Sequence, residues 1–292
     1  MKSDERPHET NNKITPSNPD FREQIVGISH LCVIIPAAGA SSRFTATGGL
    51  RHKLEEDLAG RNVLYRSLEI FTARDDVHSI IVAGPHDETA LDEFRERHGP
   101  KIGFYGAKLC RGGKTHRYES VQAALAEIHP DCSHVAIHDA ARPCTSQKLI
   151  DRVLEAAQSH PAVIPALPVG DTIKRTEPID DAGKEDPLDA LLGDSGKINT
   201  TYNRVTGTID RSNLMLVQTP QVFSRELIER AYAQNDLSST DDAGLVERLG
   251  EPVIVVEGEA RNIKITRAED LELARALFGP ADDRDRASHK RF

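Results

Sequence analysis

Tryptophan is absent from the 292 residues, methionine occurs only twice, and aromatic residues make up 4% of the chain. Whatever core forms must therefore be aliphatic. No apolar run approaches the roughly 20 residues that a membrane helix requires, so neither a spanning helix nor a membrane partner is expected. The first residues, Met1 to Lys13, hold no hydrophobic stretch of the kind a secretory signal uses. The four cysteines, Cys32, Cys110, Cys132 and Cys144, show no C-x-x-C spacing. Free thiols in a reducing cytoplasm are expected from that pattern. A net charge of -9 speaks against a general nucleic-acid binder, yet leaves room for a local basic pocket that takes phosphates. No internal repeat is found.

The length suits one large α/β domain or two small ones, enough to bury a core without staples. Residues 1–28 are polar and charged and are expected to be a flexible extension; 279–292 form a charged tail. Between them runs the main domain, 29–278. Residues 32–36 hold Val33, Ile34 and Ile35 in a row, the pattern of a strand buried on both faces. Further strands are expected at 78–83, 102–105, 135–138 and 162–167. Helices are expected at 62–73, with Asn62 as N-cap, at 87–98, and around the stripes Val121, Ala124, Leu125, Ile128 and Leu149, Ile150, Val153, Leu154. This alternation implies a mostly parallel, doubly wound sheet, with ligands beyond the carboxyl ends of its strands. It then stops. Residues 171–175 and 208–211 look extended and could pair as a projecting β-arm, about 169–213, around a polar insertion at 177–207. Residues 218–221 read as a turn, followed by helices near 227–233 and 241–249, a strand at 253–256 and a last helix with Leu271, Leu273, Ala274 and Leu277.

Two strand ends carry chemistry. The first strand breaks into Pro36-Ala37-Ala38-Gly39-Ala40-Ser41-Ser42, a loop whose small residues let backbone N–H groups approach a bulky anion. Arg43 and Lys53 add cations, as a triphosphate site needs. The other strand end reads His138-Asp139-Ala140-Ala141-Arg142-Pro143 and can face the same pocket. Each residue also has a plain structural reading. Asp139 and Arg142 could be a strand-end ion pair, Ser120 a helix-start hydroxyl, Thr240 an N-cap, and Lys264 a solvated lysine. His138 reads as a packing or orienting residue, not a base.

Taken in order, P-A-A-G-A-S-S-R, K-x4-L-A-G-x-x-V-L from Lys53, R-x-x-S-V at Arg117, H-D-A-A-R-P at His138 and D-T-I-K-R at Asp171 form a specific set. T-I-D-R at Thr208, Q-T-P-Q at Gln218, S-T-D-D-A at Ser239 and N-I-K-I-T at Asn262 extend it. The chain resembles the 2-C-methyl-D-erythritol 4-phosphate cytidylyltransferases over about 31–278. The resemblance implies a Rossmann-like nucleotide-diphospho-sugar transferase fold and transfer of CMP from CTP to a polyol phosphate. It implies Mg²⁺ or another divalent cation held by Asp139, and a homodimer whose β-arm completes the neighbour's site. Arg43, Lys53, Arg211 and Lys264 match catalytic positions. Ala37, Ala38, Gly39, Ala40, Gly113, Ser120, Asp139 and Ala140 match CTP-binding ones. Arg142, Thr172, Thr219 and Thr240 match the acceptor site. Two other readings are a cytidylyltransferase for ribitol 5-phosphate and a nucleotide-binding homologue without turnover.

The chain departs from the family pattern at several points. Ser41 stands where glycine is usual. His52-Lys53-Leu54 replaces P-K-Q, and the segment between Arg43 and Lys53 is a few residues longer than usual. One extra residue between Gly113 and Arg117 leaves the base-contacting position open among Gly113, Lys114 and Thr115.

Overall fold

The computed structural model describes residues 28, 30–179 and 202–279. The expected N-terminal extension up to 27, the charged tail past 279 and most of the 177–207 insertion lie outside the described residues.

In chain order the elements are β1 (Leu31–Pro36), α1 (Ser42–Ala46), a 3₁₀ turn (Lys53–Glu55), β2 (Asp57–Leu58), β3 (Arg61–Asn62), α2 (Val63–Thr72) and β4 (Val77–Gly84). Next come α3 (Glu88–Phe104), β5 (Ala107–Arg111), α4 (Arg117–Leu125), β6 (His134–Ile137), α5 (Gln147–Ala157) and β7 (Ala162–Pro168). The described remainder holds β8 (Ile173–Pro178), β9 (Asn203–Ile209), β10 (Met215–Val217), β11 (Gln221–Ser224), α6 (Arg225–Tyr232), α7 (Ala243–Arg248), β12 (Ile254–Glu257) and α8 (Ala268–Phe278).

Among the described residues the main sheet has eight strands, in the order β10-β7-β11-β6-β1-β4-β5, with β12 also on β7. Neighbours β6, β1, β4 and β5 are parallel, as is β12 on β7. Strands β10 and β11 run antiparallel to theirs. The apolar run of β1 explains its central place. Val33 and Ile35 pack on one face with residues of α2, α5 and α8, while Cys32 and Ile34 pack on the other with α4, α6 and α7. A strand buried on both faces cannot alternate polar and apolar residues. Asn62 caps α2 as expected, its side-chain oxygen accepting from the Tyr65 N–H at 2.9 Å.

Two expectations need correction. Residues 102–105 are not a strand; they close α3, which runs through Pro100 because buried Ile102 continues the inner face of Leu91 and His98. The third parallel strand is β5, entered through Gly106 at φ 69°. Residues 218–221 do not simply turn: Gln221 already belongs to β11, which inserts between β6 and β7. The β-arm forms as expected. Strands β8 and β9 pair antiparallel from Ile173↔Ile209 to Pro178↔Asn203 as a separate ribbon.

Candidate active site

A cleft of about 270 Å³ opens beyond the carboxyl ends of β1 and β6. Its floor is 36–40, continuous with β1, and its walls carry Arg43, Lys53, 113–117, Ser120, Asp139, Ala140 and Lys264. Every residue expected at the triphosphate and nucleoside thus lines one cavity. In the floor loop the backbone N–H groups of Gly39, Ala40 and Ser41 make no hydrogen bond among the described residues. Unsatisfied donors in a compact loop form an anion-binding concavity. Ser41 sits at φ 57°, in the left-handed region, which explains why glycine is usual there. Its Oγ is buried and has no partner among the described residues.

The opposite wall is a tight turn between β5 and α4. A Cβ on Gly113 would lie 2.1 Å from the Glu119 Cβ and 2.7 Å from the Ser120 backbone nitrogen, so only glycine fits. The Gly113 N–H donates to Ser120 Oγ at 2.9 Å. Glu119 Oε2 accepts from the N–H groups of Thr115 at 2.6 Å and His116 at 3.2 Å. Ser120 is therefore both a lining residue and a strut of this loop. Gly113, Lys114 and Thr115 all face the cavity.

Asp139 lies at the centre of the charged network. Its Oδ1 accepts from Arg117 Nε at 3.2 Å; its Oδ2 meets Arg142 Nε at 3.3 Å and Lys264 Nζ at 2.9 Å. Burial alone would raise its pKa, but Arg117, Lys264 and Arg142 outweigh it and hold the carboxyl far below the usual range. Arg117 continues to buried Asp242, with Nη1 at 2.7 Å from Oδ2, and Tyr232 donates its hydroxyl to Asp242 Oδ1 at 2.6 Å. Burial disfavours the Arg117 charge, yet Asp242 and Asp139 more than compensate, so its pKa is raised. Lys53 differs. Burial first, and then the charge of Lys264, lower its pKa from 10.5.

His138 is buried behind this network. Its Nε2–H donates to the Arg142 carbonyl at 3.2 Å, and its Nδ1 receives the Thr219 hydroxyl at 3.3 Å. Burial pushes its pKa down to about 4, so it is neutral near pH 7 and packs edge-on against Phe71. The orienting role expected of it is what the geometry provides.

Not every expected residue reaches the cleft. Arg142 and Thr219, expected at the acceptor, are buried beneath Asp139. Arg142 spends its guanidinium on Asp139 and on the carbonyls of Asn262 at 2.7 Å and Val217 at 3.4 Å. Thr219 Oγ1 accepts from the Asp139 N–H at 3.1 Å. Both bond to Asp139, and neither lines the cavity. Thr172 and Arg211 are exposed at the base of the arm, where Arg211 donates to the Gly170 carbonyl. Thr240 is exposed; Asp241, not Thr240, accepts from the Gly244 N–H at 3.1 Å. Three residues carry no assigned role in the sequence reading: Arg117 and Asp242, quoted only within motifs, and His52, noted only as a departure from the family pattern. The arginine that opens α4 was the one available signal.

The sheet and its cleft define a Rossmann-like α/β domain of the nucleotidyltransferase kind. A family model described as 2-C-methyl-D-erythritol 4-phosphate cytidylyltransferase matches residues 31–184 and 189–279. A protein of that name from Frankia casuarinae is 37% identical over 262 residues, covering 88% of this chain and 86% of its own length. One from Rhodococcus jostii is 39% identical over 252 residues, 86% of this chain and 96% of its own. The crystal structure of the Thermus thermophilus cytidylyltransferase of that name superposes with a TM-score of 0.61 at 33% identity, covering 85% of this chain and 98% of that one. The chain belongs to the 2-C-methyl-D-erythritol 4-phosphate cytidylyltransferase family.

Proposed function

We propose that this cleft transfers CMP from CTP to 2-C-methyl-D-erythritol 4-phosphate and releases diphosphate. The observation that carries this reading is the union of free backbone donors at 39–41 with Arg43, Lys53 and Lys264 around one cavity. The acceptor phosphate has a second pKa near 6, so it is ionised at neutral pH and needs no general base. Neutral, buried His138 is not asked to be one. An acceptor oxygen bonds to the α-phosphorus of CTP, the bond from that phosphorus to the β-phosphate oxygen breaks, and the electron pair leaves with diphosphate. The barrier is charge crowding, so positioning and electrostatics carry the rate.

Ala37, Ala38, Gly39 and Ala40 cradle the triphosphate, Gly113 and Ser120 the nucleoside, and Ala140 closes the floor. Arg43, Lys53 and Lys264 stabilise the charge that builds at the α-phosphate. Arg142 and Thr219 hold Asp139 in place. A divalent cation fits Asp139: of the four acceptor positions on its two oxygens, three are taken, and one on Oδ1 is open among the described residues. Mg²⁺ commonly takes one carboxylate and fills its shell with substrate phosphates and water. Bound there, it would neutralise phosphate charge.

Thr172, Arg211 and Thr240 serve the acceptor in a homodimer built through the arm. Exposed Tyr202 and Val205 on the arm, with Leu214, Met215, Leu216 and Val217 beside it, supply an apolar surface that a second copy would cover. Among the described residues no helix is long and apolar enough to cross a membrane. The test is diphosphate release from CTP with a panel of polyol phosphates. Release should require 2-C-methyl-D-erythritol 4-phosphate. A preference for ribitol 5-phosphate would reassign the acceptor, and no release with any member would refute turnover.

A further inference from the structure

The turn that presents Lys53 and the loop that presents the free N–H groups are 13 residues apart in sequence, yet one side chain joins them. His52 precedes the 3₁₀ turn in extended geometry, and its Nδ1 accepts from the Leu54 N–H at 3.4 Å. Its Nε2 lies 2.7 Å from the Gly39 carbonyl oxygen. A single neutral tautomer, protonated on Nε2, makes both bonds: it accepts on one edge and donates on the other. The Gly39 carbonyl and the Ala40 N–H share one peptide plane and point in opposite directions across it. Drawing the carbonyl oxygen toward His52, which does not line the cleft, turns the Ala40 N–H to the opposite side. It also keeps a carbonyl dipole from facing the phosphates.

We infer that His52 is a positioning residue: it fixes the separation between the phosphate loop and the Lys53 ammonium through the Gly39 carbonyl. The inference rests on the proposed nucleotidyl transfer at this cleft. His52 acts through Gly39 and Lys53 and touches no reacting atom. A proline at this position would offer neither hydrogen bond, so the link depends on the imidazole.

Two conservative variants separate the two bonds. His52→Asn keeps an oxygen that can cap the turn but is too short to reach Gly39. His52→Gln places an amide N–H where Nε2 stands. CTP affinity of the full-length protein would be measured by calorimetry without acceptor, with thermal unfolding in parallel. His52→Asn should weaken CTP about tenfold while melting close to the parent, and His52→Gln should restore most of the loss. The KM for the polyol phosphate should change less than about twofold. In a Lys53→Ala background, His52→Asn should add little further loss, because the two act as one unit. CTP affinity unchanged in His52→Asn, or losses that multiply independently with Lys53→Ala, would overturn the inference. If Lys53→Ala itself leaves CTP affinity intact, the reading of the cleft fails instead.

Discussion

The pair Arg117–Asp242 offers a sharp physical test of the network behind the cleft. Arg117 bridges two carboxylates, but they depend on it unequally. Asp139 keeps Lys264 and Arg142 if Arg117 is lost. Asp242, with a side chain 1% exposed, is ion-paired only to Arg117 among the described residues and otherwise leans on the Tyr232 hydroxyl. Arg117→Met therefore strands mainly the Asp242 charge. Removing one partner of a buried pair costs about 3–5 kcal/mol, whereas replacing both is often near neutral. Arg117 retains partial solvent access, so the lower end, about 3 kcal/mol, is expected for Arg117→Met. Asp242→Asn leaves Arg117 its second partner and should cost less, about 2 kcal/mol. The double variant should cost clearly less than the two singles combined, with a coupling of about 1.5–3 kcal/mol. Urea unfolding of the four proteins, under conditions where each is two-state, measures it. Additivity within about 0.5 kcal/mol would refute the claim that this pair is a buried, mutually dependent unit.

Asp139→Asn should abolish most diphosphate release and lower stability as well, because three cations lose their shared anion; full activity with Mg²⁺ would remove Asp139 from the chemistry. Lys53 has its pKa lowered by burial and by Lys264 and Arg43, against the opposing pull of Asp139 and Asp270. A bound triphosphate should raise that pKa again, so CTP binding takes up protons and weakens as pH climbs toward 10.5. Calorimetry in buffers of different ionisation heat checks this, and Lys53→Arg should flatten the alkaline loss; a pH-independent affinity in the parent would contradict it. Mixing inactive Arg211→Ala with inactive Lys53→Ala chains should recover part of the activity if the arm completes the partner's site, whereas verified mixed dimers that stay dead would exclude shared sites.

What was legible in the sequence followed from rules that act locally. The unbroken apolar run of β1, the Asn62 cap and the small-residue loop each state their structure within a few residues. The failures share another cause. Residues 102–105 form a short apolar run that suits a strand end or a helix face equally, and Ile102 is assigned only by its burial on the helix that also buries Leu91 and His98. Strand β11 contributes two apolar residues, Val222 and Phe223, too few to announce a strand between β6 and β7. The bonds that tie Arg142 and Thr219 to Asn262, Val217 and the Asp139 backbone were hidden as well, because the partners come from distant segments that no periodicity links.

The cations in and beneath the cleft fall into two kinds, and the division has functional weight. Arg117, Arg142 and Lys264 are tied to carboxylates before any ligand arrives. Arg43, Lys53 and Lys114 make no ion pair among the described residues, although all three line the cavity. A site whose every cation was unpaired would repel itself; at Lys53 burial first, and then the charge of Lys264, already lowers the pKa. A site whose every cation was paired would have little field left for a triphosphate. Buried Asp139 resolves the conflict by fixing one set while leaving the other unsatisfied and aimed at the same space. Preorganised charge of this kind spares the reorganisation that water would need at the moment of reaction. The two sets should therefore respond differently to substitution. Loss of Arg43 or Lys53 should cut CTP binding with little change in unfolding, while loss of Arg117 or Arg142 should register first in stability and only through Asp139 in rate.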